Sequence, residues 1–171
     1  MIISVLIPCF NEKDTIEEIV NRINDLKNIN TEIIIIDDFS NDGTTEILKE
    51  KINHKVSKII FNETNSGKGY CIKKGIEIAQ GEIILIQDAD LEYDPKEYYK
   101  LTKPIIDGNA EVVYGSRFIG GDERRILFFW HTIANKFLTF LSNMFTNLNL
   151  TDMETCYKVF KKEIIKKVDL K

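Results

Sequence analysis

The chain has 171 residues, 43% of them hydrophobic, which is enough for one compact domain with a proper core and too few for two. A net charge of −4 and a pI near 5.3 exclude the basic footprint of a general nucleic-acid binder. Three cysteines (Cys9, Cys71, Cys156) without metal-site spacing and two histidines (His54, His131) leave little for a zinc site or a nucleophile–histidine pair, so any metal must be held by oxygen.

Met1 leads straight into a short apolar run without the charged start of a signal peptide, and a cytoplasmic, reducing environment is expected. Short β-branched runs then alternate with helix-period segments, which predicts a single α/β domain with a mostly parallel central sheet flanked by helices. The first strand is expected over residues 3–7 and ends in Pro8-Cys9-Phe10-Asn11-Glu12. Ile16, Ile19, Val20, Ile23 and Leu26 follow at three- and four-residue steps, one stripe of a helix facing the sheet. A second strand over 32–36 ends in Asp37-Asp38-Phe39-Ser40-Asn41-Asp42-Gly43-Thr44, whose last three residues open a second helix. A third strand, over 56–61, precedes Asn65-Ser66-Gly67-Lys68-Gly69, the start of a third helix carrying Ile72, Ile76 and Ala79. The fourth strand, 83–86, ends in Gln87-Asp88-Ala89-Asp90-Leu91-Glu92, and Asp94-Pro95 begins a fourth helix with Asp as cap and Pro in the first turn. A fifth strand is expected over 111–114. From Tyr157 to Lys171 the chain is locally basic, with six lysines against Glu163 and Asp169, a composition that usually marks a solvated face.

In an open parallel sheet ligands bind beyond the carboxyl ends of the strands, and three of these strands end in polar clusters. One rim is therefore rich in acids, which repel unless a cation or a donor-rich ligand lies between them. Asp88 and Asp90, two residues apart, can turn toward one point, and oxygen ligands of this kind suit Mg²⁺ or Mn²⁺ bound through a diphosphate. Read alone, the same acids serve equally well to solvate a loop and cap the next helix. Lys68 between two glycines reads either as a phosphate-approaching loop or as an ordinary turn, and it is not a P-loop.

Taken together and in order, Ile7 to Glu12, Ile36 to Thr44, Asn65 to Gly69, Asp88-Ala89-Asp90 and Gly115-Ser116-Arg117 resemble family 2 glycosyltransferases. The resemblance is closer to their dolichol-phosphate mannose synthase branch, enzymes that move a sugar from a nucleotide diphosphate to a polyprenyl phosphate. It implies the Rossmann-like glycosyltransferase fold A, with nucleotide-sugar and metal binding in 1–117 and an acceptor side in 118–171 that is short at its C-terminal end. It implies that Pro8, Phe10 and Glu12 meet the nucleotide, Phe10 standing where a tyrosine is common, and that Ile36 and Asp38 hold base and ribose. Asp88, Ala89 and Asp90 then form the metal and diphosphate motif, Glu92 a third metal ligand, Lys68 a phosphate contact, and Arg117 an arginine near phosphate.

Beyond Arg117, Arg124-Arg125 precede Ile126-Leu127-Phe128-Phe129-Trp130 and then Ile133, Phe137, Leu138, Phe140, Leu141, Met144 and Phe145. Polar interruptions make this too broken for a membrane span, so an amphipathic helix over 125–145 lying on the membrane is expected, with a core helix or a homodimer contact as alternatives. Under the resemblance Arg124 and Arg125 would meet the acceptor phosphate. Asp152, in Thr151-Asp152-Met153-Glu154, is the candidate sugar contact or base; capping a helix is its plainer role. A phosphate acceptor ionises near neutrality and needs no strong base, whereas a hydroxyl acceptor does. The expected activity is inverting, metal-dependent transfer from GDP-mannose or UDP-glucose to a polyprenyl phosphate at the inner membrane face, with Asp90, Arg117 and Asp152 as catalytic candidates. The alternatives are transfer to a cell-envelope glycan hydroxyl, and a non-catalytic nucleotide-sugar-binding module or fragment.

Overall fold

A computed structural model of the chain describes residues 1–118 and 128–168. Six strands form one sheet in the order β3-β2-β1-β4-β6-β5: β1 (Ile3–Cys9), β2 (Thr31–Asp37), β3 (Lys58–Phe61), β4 (Ile83–Ile86), β5 (Val112–Tyr114) and β6 (Lys158–Lys161). The first four are mutually parallel, while β6 runs antiparallel between β4 and β5. The mostly parallel sheet expected from the sequence is thus present. Strand β6 was not foreseen, because Lys158-Val159-Phe160-Lys161 reads locally as part of a basic tail. Only its insertion between β4 and β5 buries Val159 completely. The insertion also ties the region after residue 118 into the sheet of the first part.

Strand alternation sorts the apolar side chains into two cores. On one face Val5, Ile7, Ile33, Ile35 and Leu85 meet α1 (Ile16–Asn24) and α4 (Tyr98–Ile106), through Ile16, Ile19, Val20, Ile23, Tyr98 and Ile105. Each such side chain contributes roughly 1.5–3 kcal/mol on burial. On the other face Leu6, Ile34, Ile36 and Ile84 meet Cys71, Ile76 and Ala79 of α3 (Lys68–Ile78) and its end, and Ile165 of α6 (Lys162–Ile165). Gly75 permits the close approach of α3, since a β-carbon there would stand 3.0 Å from Leu6 and 3.1 Å from Ile36. The second helix is short: α2 (Thr44–Ile47) widens into a π turn, Leu48–Ile52, that keeps Leu48 and Ile52 buried. Asp94 caps the turn into α4 as expected, accepting from the Lys96 N–H at 3.0 Å.

The last long element, α5 (Phe129–Thr146), is turned inside out. Its buried residues are Asn135 and Thr139, whereas Phe129, Trp130, Phe137, Phe140 and Phe145 are exposed, Trp130 at 75% and Phe145 at 80%. Among the described residues no helix is long and apolar enough to cross a membrane.

Candidate functional site

Because β1, β2 and β4 run parallel, their carboxyl ends share one rim, and the polar segments that follow them meet there. Between them lies a cleft of about 270 Å³ lined by Pro8, Cys9, Phe10, Glu12, Asp38, Lys68, Cys71, Asp88, Ala89 and Asp90. Larger cavities lie elsewhere, one of about 600 Å³ beside Arg22, Asp25 and Asp94 and one of about 450 Å³ beside Met1, Glu82 and Lys162. Neither gathers strand-end acids, so chemistry rather than size picks out the rim.

The loops after β1 and β2 brace each other. The Asn11 N–H donates to Ser40 Oγ at 2.9 Å, the Asn41 N–H to Asn11 Oδ1 at 2.9 Å, and the Glu12 N–H to Thr44 Oγ1 at 2.9 Å. Asn11 and Phe39 both take positive φ, 58° and 68°, a left-handed conformation that costs a bulky side chain such as Phe about 1–2 kcal/mol. The adjacent acids divide the work. Asp37 is spent on the loop, accepting from Ser40 Oγ at 2.5 Å and Thr45 Oγ1 at 2.6 Å. Asp38 faces the cleft and anchors the start of α3: Oδ1 accepts from Asn62 Nδ2 at 2.7 Å and the Ser66 N–H at 2.9 Å, and Oδ2 accepts from the Gly67 N–H at 2.7 Å. Burial works to raise the Asp38 pKa, but these donors outweigh it and hold the carboxyl below its ordinary value.

Ile36, expected to contact the base or ribose, has its side chain fully buried under Gly75. Strand alternation sends Ile36 into the core and leaves Asp38, beyond the end of β2, at the cleft.

Lys68 opens α3 and its ammonium pairs with Asp88 Oδ1. Burial opposes the charge on Lys68, yet the bond and field of Asp88 prevail and raise its pKa. Asp90 is raised, first by desolvation and then by the charges of Asp88 and Glu92, against the lowering by the Glu92 N–H and Lys68. The expected three-carboxylate metal site is not assembled: among the described residues no group of three or more His, Cys, Asp or Glu converges on one point. The chain turns at Asp90, whose Oδ1 accepts from the Glu92 N–H at 3.0 Å, and the charge of Glu92 reaches Arg117 as well as Asp90. Asp88 and Asp90 fit a smaller role, since Mg²⁺ and Mn²⁺ are commonly held by one or two carboxylates together with substrate phosphates. The repulsion from Asp88 and Glu92, which adds to desolvation in raising Asp90, is what such a cation relieves.

Cys9 and Cys71 line the cleft without having been foreseen there, because an isolated cysteine carries no spacing signal. Burial first, and then Asp38, push the Cys71 thiol up to about 12, and burial keeps Cys9 protonated too. Neither is a ready nucleophile.

A second polar cluster joins Arg117, Asp152 and α5. Asp152 Oδ2 accepts from the Arg117 N–H at 3.0 Å and from Nε at 2.8 Å, while Oδ1 accepts from Arg117 Nη2 at 2.9 Å and Asn135 Nδ2 at 3.1 Å. Thr139 Oγ1 donates to Asn135 Oδ1 at 3.2 Å and accepts from the Met153 N–H at 3.2 Å. Desolvation favours the neutral acid at Asp152, but the Arg117 bonds dominate and hold its pKa below the ordinary range. A buried carboxylate with four donors and a lowered pKa is a weak base. Its geometry is that of a group holding Arg117 in place, and the expectation of a base is revised accordingly. Arg124 and Arg125 lie outside the described residues.

Residues 4–169 match the family described as Glycosyl transferase family 2. Over 137 residues the chain is 32% identical to a dolichol-phosphate mannosyltransferase from Pyrococcus furiosus, covering 80% of this chain and 39% of that protein. It is also 32% identical over 112 residues to an undecaprenyl-phosphate 4-deoxy-4-formamido-L-arabinose transferase from Aeromonas hydrophila, covering 63% of this chain and 34% of that protein. The chain thus spans well under half the length of either relative. In fold it is similar to glucosyl-3-phosphoglycerate synthase from Mycobacterium tuberculosis, solved with Mn²⁺, UDP and glucosyl-3-phosphoglycerate, with a TM-score of 0.73 at 21% identity over 97% of this chain and 58% of that one.

Proposed function

This chain belongs to glycosyl transferase family 2, and from that premise we propose that it transfers a sugar from GDP-mannose or UDP-glucose to a polyprenyl or dolichyl phosphate at the cytoplasmic face of a membrane. The observation that carries the reading is the single cleft in which Phe10, Asp38, Lys68, Asp88 and Asp90 meet at the carboxyl ends of three parallel strands. The two polyprenyl-phosphate transferases among the relatives support the acceptor class.

In this reading Pro8 and Phe10 offer apolar contact to the base, Glu12 and Asp38 accept from donor hydroxyls, and Lys68 turns from Asp88 to the diphosphate. Asp88 and Asp90 would hold a Mg²⁺ or Mn²⁺, which when bound neutralises charge on the departing diphosphate. Arg117, held in position by Asp152 through Nε and Nη2, presents the rest of its guanidinium toward phosphate. An oxygen of the acceptor phosphate attacks the anomeric carbon opposite the diphosphate. The carbon–oxygen bond to the diphosphate breaks, its electron pair leaves with the nucleotide, and the anomeric centre inverts. The acceptor oxygen is already ionised near neutrality, with a second pKa of about 6, so no protein base is required. The four donors already engaged on Asp152 favour this acceptor over a glycan hydroxyl.

The exposed aromatic face of α5 fits a helix lying in a membrane interface, where the ring faces are buried among acyl chains. Arg124 and Arg125 are the proposed contacts of the acceptor phosphate.

The test is a titration of GDP-mannose, UDP-glucose and UDP-GlcNAc with and without Mn²⁺, for the wild type and Asp90→Ala, followed by transfer to a short prenyl phosphate. Metal-dependent binding lost in Asp90→Ala, with transfer exceeding hydrolysis, is expected. Absence of metal-dependent binding to all three donors overturns the enzyme reading. Light scattering without vesicles separates membrane contact from a homodimer through the same helix.

A further inference from the structure

Resting on the proposed nucleotide-sugar site, we infer that Gln87, held between the hydroxyls of Tyr98 and Tyr157, is a positioning residue that fixes the backbone of Asp88 and so aims the Asp88–Asp90 pair.

The hydrogen-bond ladders of β4 run out just before the acids. Gln87 still donates its N–H to Leu6 O at 3.0 Å, but the last residue of β4 paired with both neighbours is Ile86. Asp88 therefore leaves the sheet with a carbonyl and an N–H that no strand satisfies, at a point where its direction decides where the carboxylates go. Two side chains take these groups over. Gln87 Nε2 donates to Asp88 O at 2.9 Å, and the Asp88 N–H donates to Cys156 Sγ at 3.1 Å.

The amide of Gln87 cannot turn away from this task. Its Oε1 accepts from Tyr98 OH at 2.8 Å and from Tyr157 OH at 3.0 Å. With both lone pairs of that oxygen used, the NH₂ group must face Asp88 O. Gln87 and Tyr98 are fully buried and Tyr157 almost so, so water does not compete for these bonds. The rings are fixed in turn, with Tyr157 4.8 Å from Tyr93 and 5.9 Å from Tyr98 between centroids. A core glutamine whose role is packing alone would not need its amide NH₂ on the carbonyl of the first carboxylate residue of the cleft. Groups that orient ligating carboxylates typically change metal affinity about 10–100-fold when lost.

The experiment follows Mn²⁺ binding by paramagnetic resonance, with and without UDP, in wild type, Gln87→Glu and Tyr98→Phe/Tyr157→Phe. Gln87→Glu keeps the acceptor for both tyrosines and, in the ionised form that their hydroxyls favour, removes the donor to Asp88. The double phenylalanine variant keeps the rings and frees the amide to flip. Both are expected to fold by circular dichroism and to lose about tenfold in Mn²⁺ affinity in the presence of UDP, while UDP binding without metal stays within twofold. Tyr98→Phe alone, which leaves one hydroxyl on Oε1, is expected to fall between. A folded Gln87→Glu or double variant that binds Mn²⁺ as the wild type does overturns the inference while leaving the proposed function standing. Failure of both to fold assigns Gln87 to the core and overturns it as well. A wild type that binds neither Mn²⁺ nor UDP overturns the functional reading and this inference with it.

Discussion

Replacing Asp152 by Asn separates two roles for this carboxylate, because a base and a holder of Arg117 fail in different ways. The substitution keeps the shape but removes the charge that faces the Arg117 N–H, Nε and Nη2 and Asn135 Nδ2. Whichever way the new amide is turned, its NH₂ points at a donor. Breaking one partner of a buried ion pair costs about 3–5 kcal/mol. The Asp152 side chain is fully buried, but that of Arg117 is 27% exposed and can recover part of its hydration. The expected loss is therefore about 2–3 kcal/mol, after discounting for that solvent access. For a domain of this size it lowers Tm by about 4–12 °C. Thermal and urea unfolding measure this loss, and transfer to a prenyl phosphate is followed in parallel. Activity should fall together with stability, and the rate should keep its pH dependence, since the acceptor phosphate supplies the nucleophile. An Asp152→Asn protein that melts within about 1 °C of the wild type, well inside that span, yet transfers nothing would refute the holding role and restore the base.

Other expectations follow from the same contacts. Asp38 and Asp152 have folded-state pKa values depressed below the unfolded carboxylate value of about 3.9, so each adds stability above that pH that disappears as pH falls through the folded value; urea midpoints from pH 7 to 3 should drop more gently for Asp38→Asn than for wild type. Phe39→Gly removes a left-handed conformation worth about 1–2 kcal/mol against a glycine entropy cost of roughly 0.5–1 kcal/mol, so Tm should stay level or rise, and a clear fall refutes the strain. Phe137→Ser with Phe140→Ser should leave Tm nearly unchanged, because both rings are exposed, but weaken sedimentation with anionic vesicles by at least about tenfold at roughly 1.5–3 kcal/mol per ring; undiminished vesicle binding would remove the membrane role of α5.

Much of the fold was legible because it rests on local periodicity. Four parallel strands, four helices and the Asp94 cap came from alternation, three- and four-residue steps and turn chemistry, and the structure moves their ends by only a few residues. The rim was legible for the same reason, since strands that end in polar clusters in a parallel sheet must deliver them to one side. Strand β6 was not, because four residues flanked by lysines gain their burial only from β4 and β5 on either side. Residue type alone did not distinguish Asp37 from Asp38, adjacent acids of which one braces the loop and the other meets the cleft; only the family resemblance singled out Asp38.

The sequence by itself determined the class of domain, the family in which its motifs belong and the residues on the acidic rim, because these depend on the order and spacing of residue types along the chain. Tertiary structure decided which partner each polar group finds. It sent Ile36 into the core, committed Asp152 to Arg117 and Asn135, and turned the aromatic face of α5 outward. Those outcomes depend on approach between segments far apart in sequence, and burial fixes a hydrogen-bond partner only once that approach has been made.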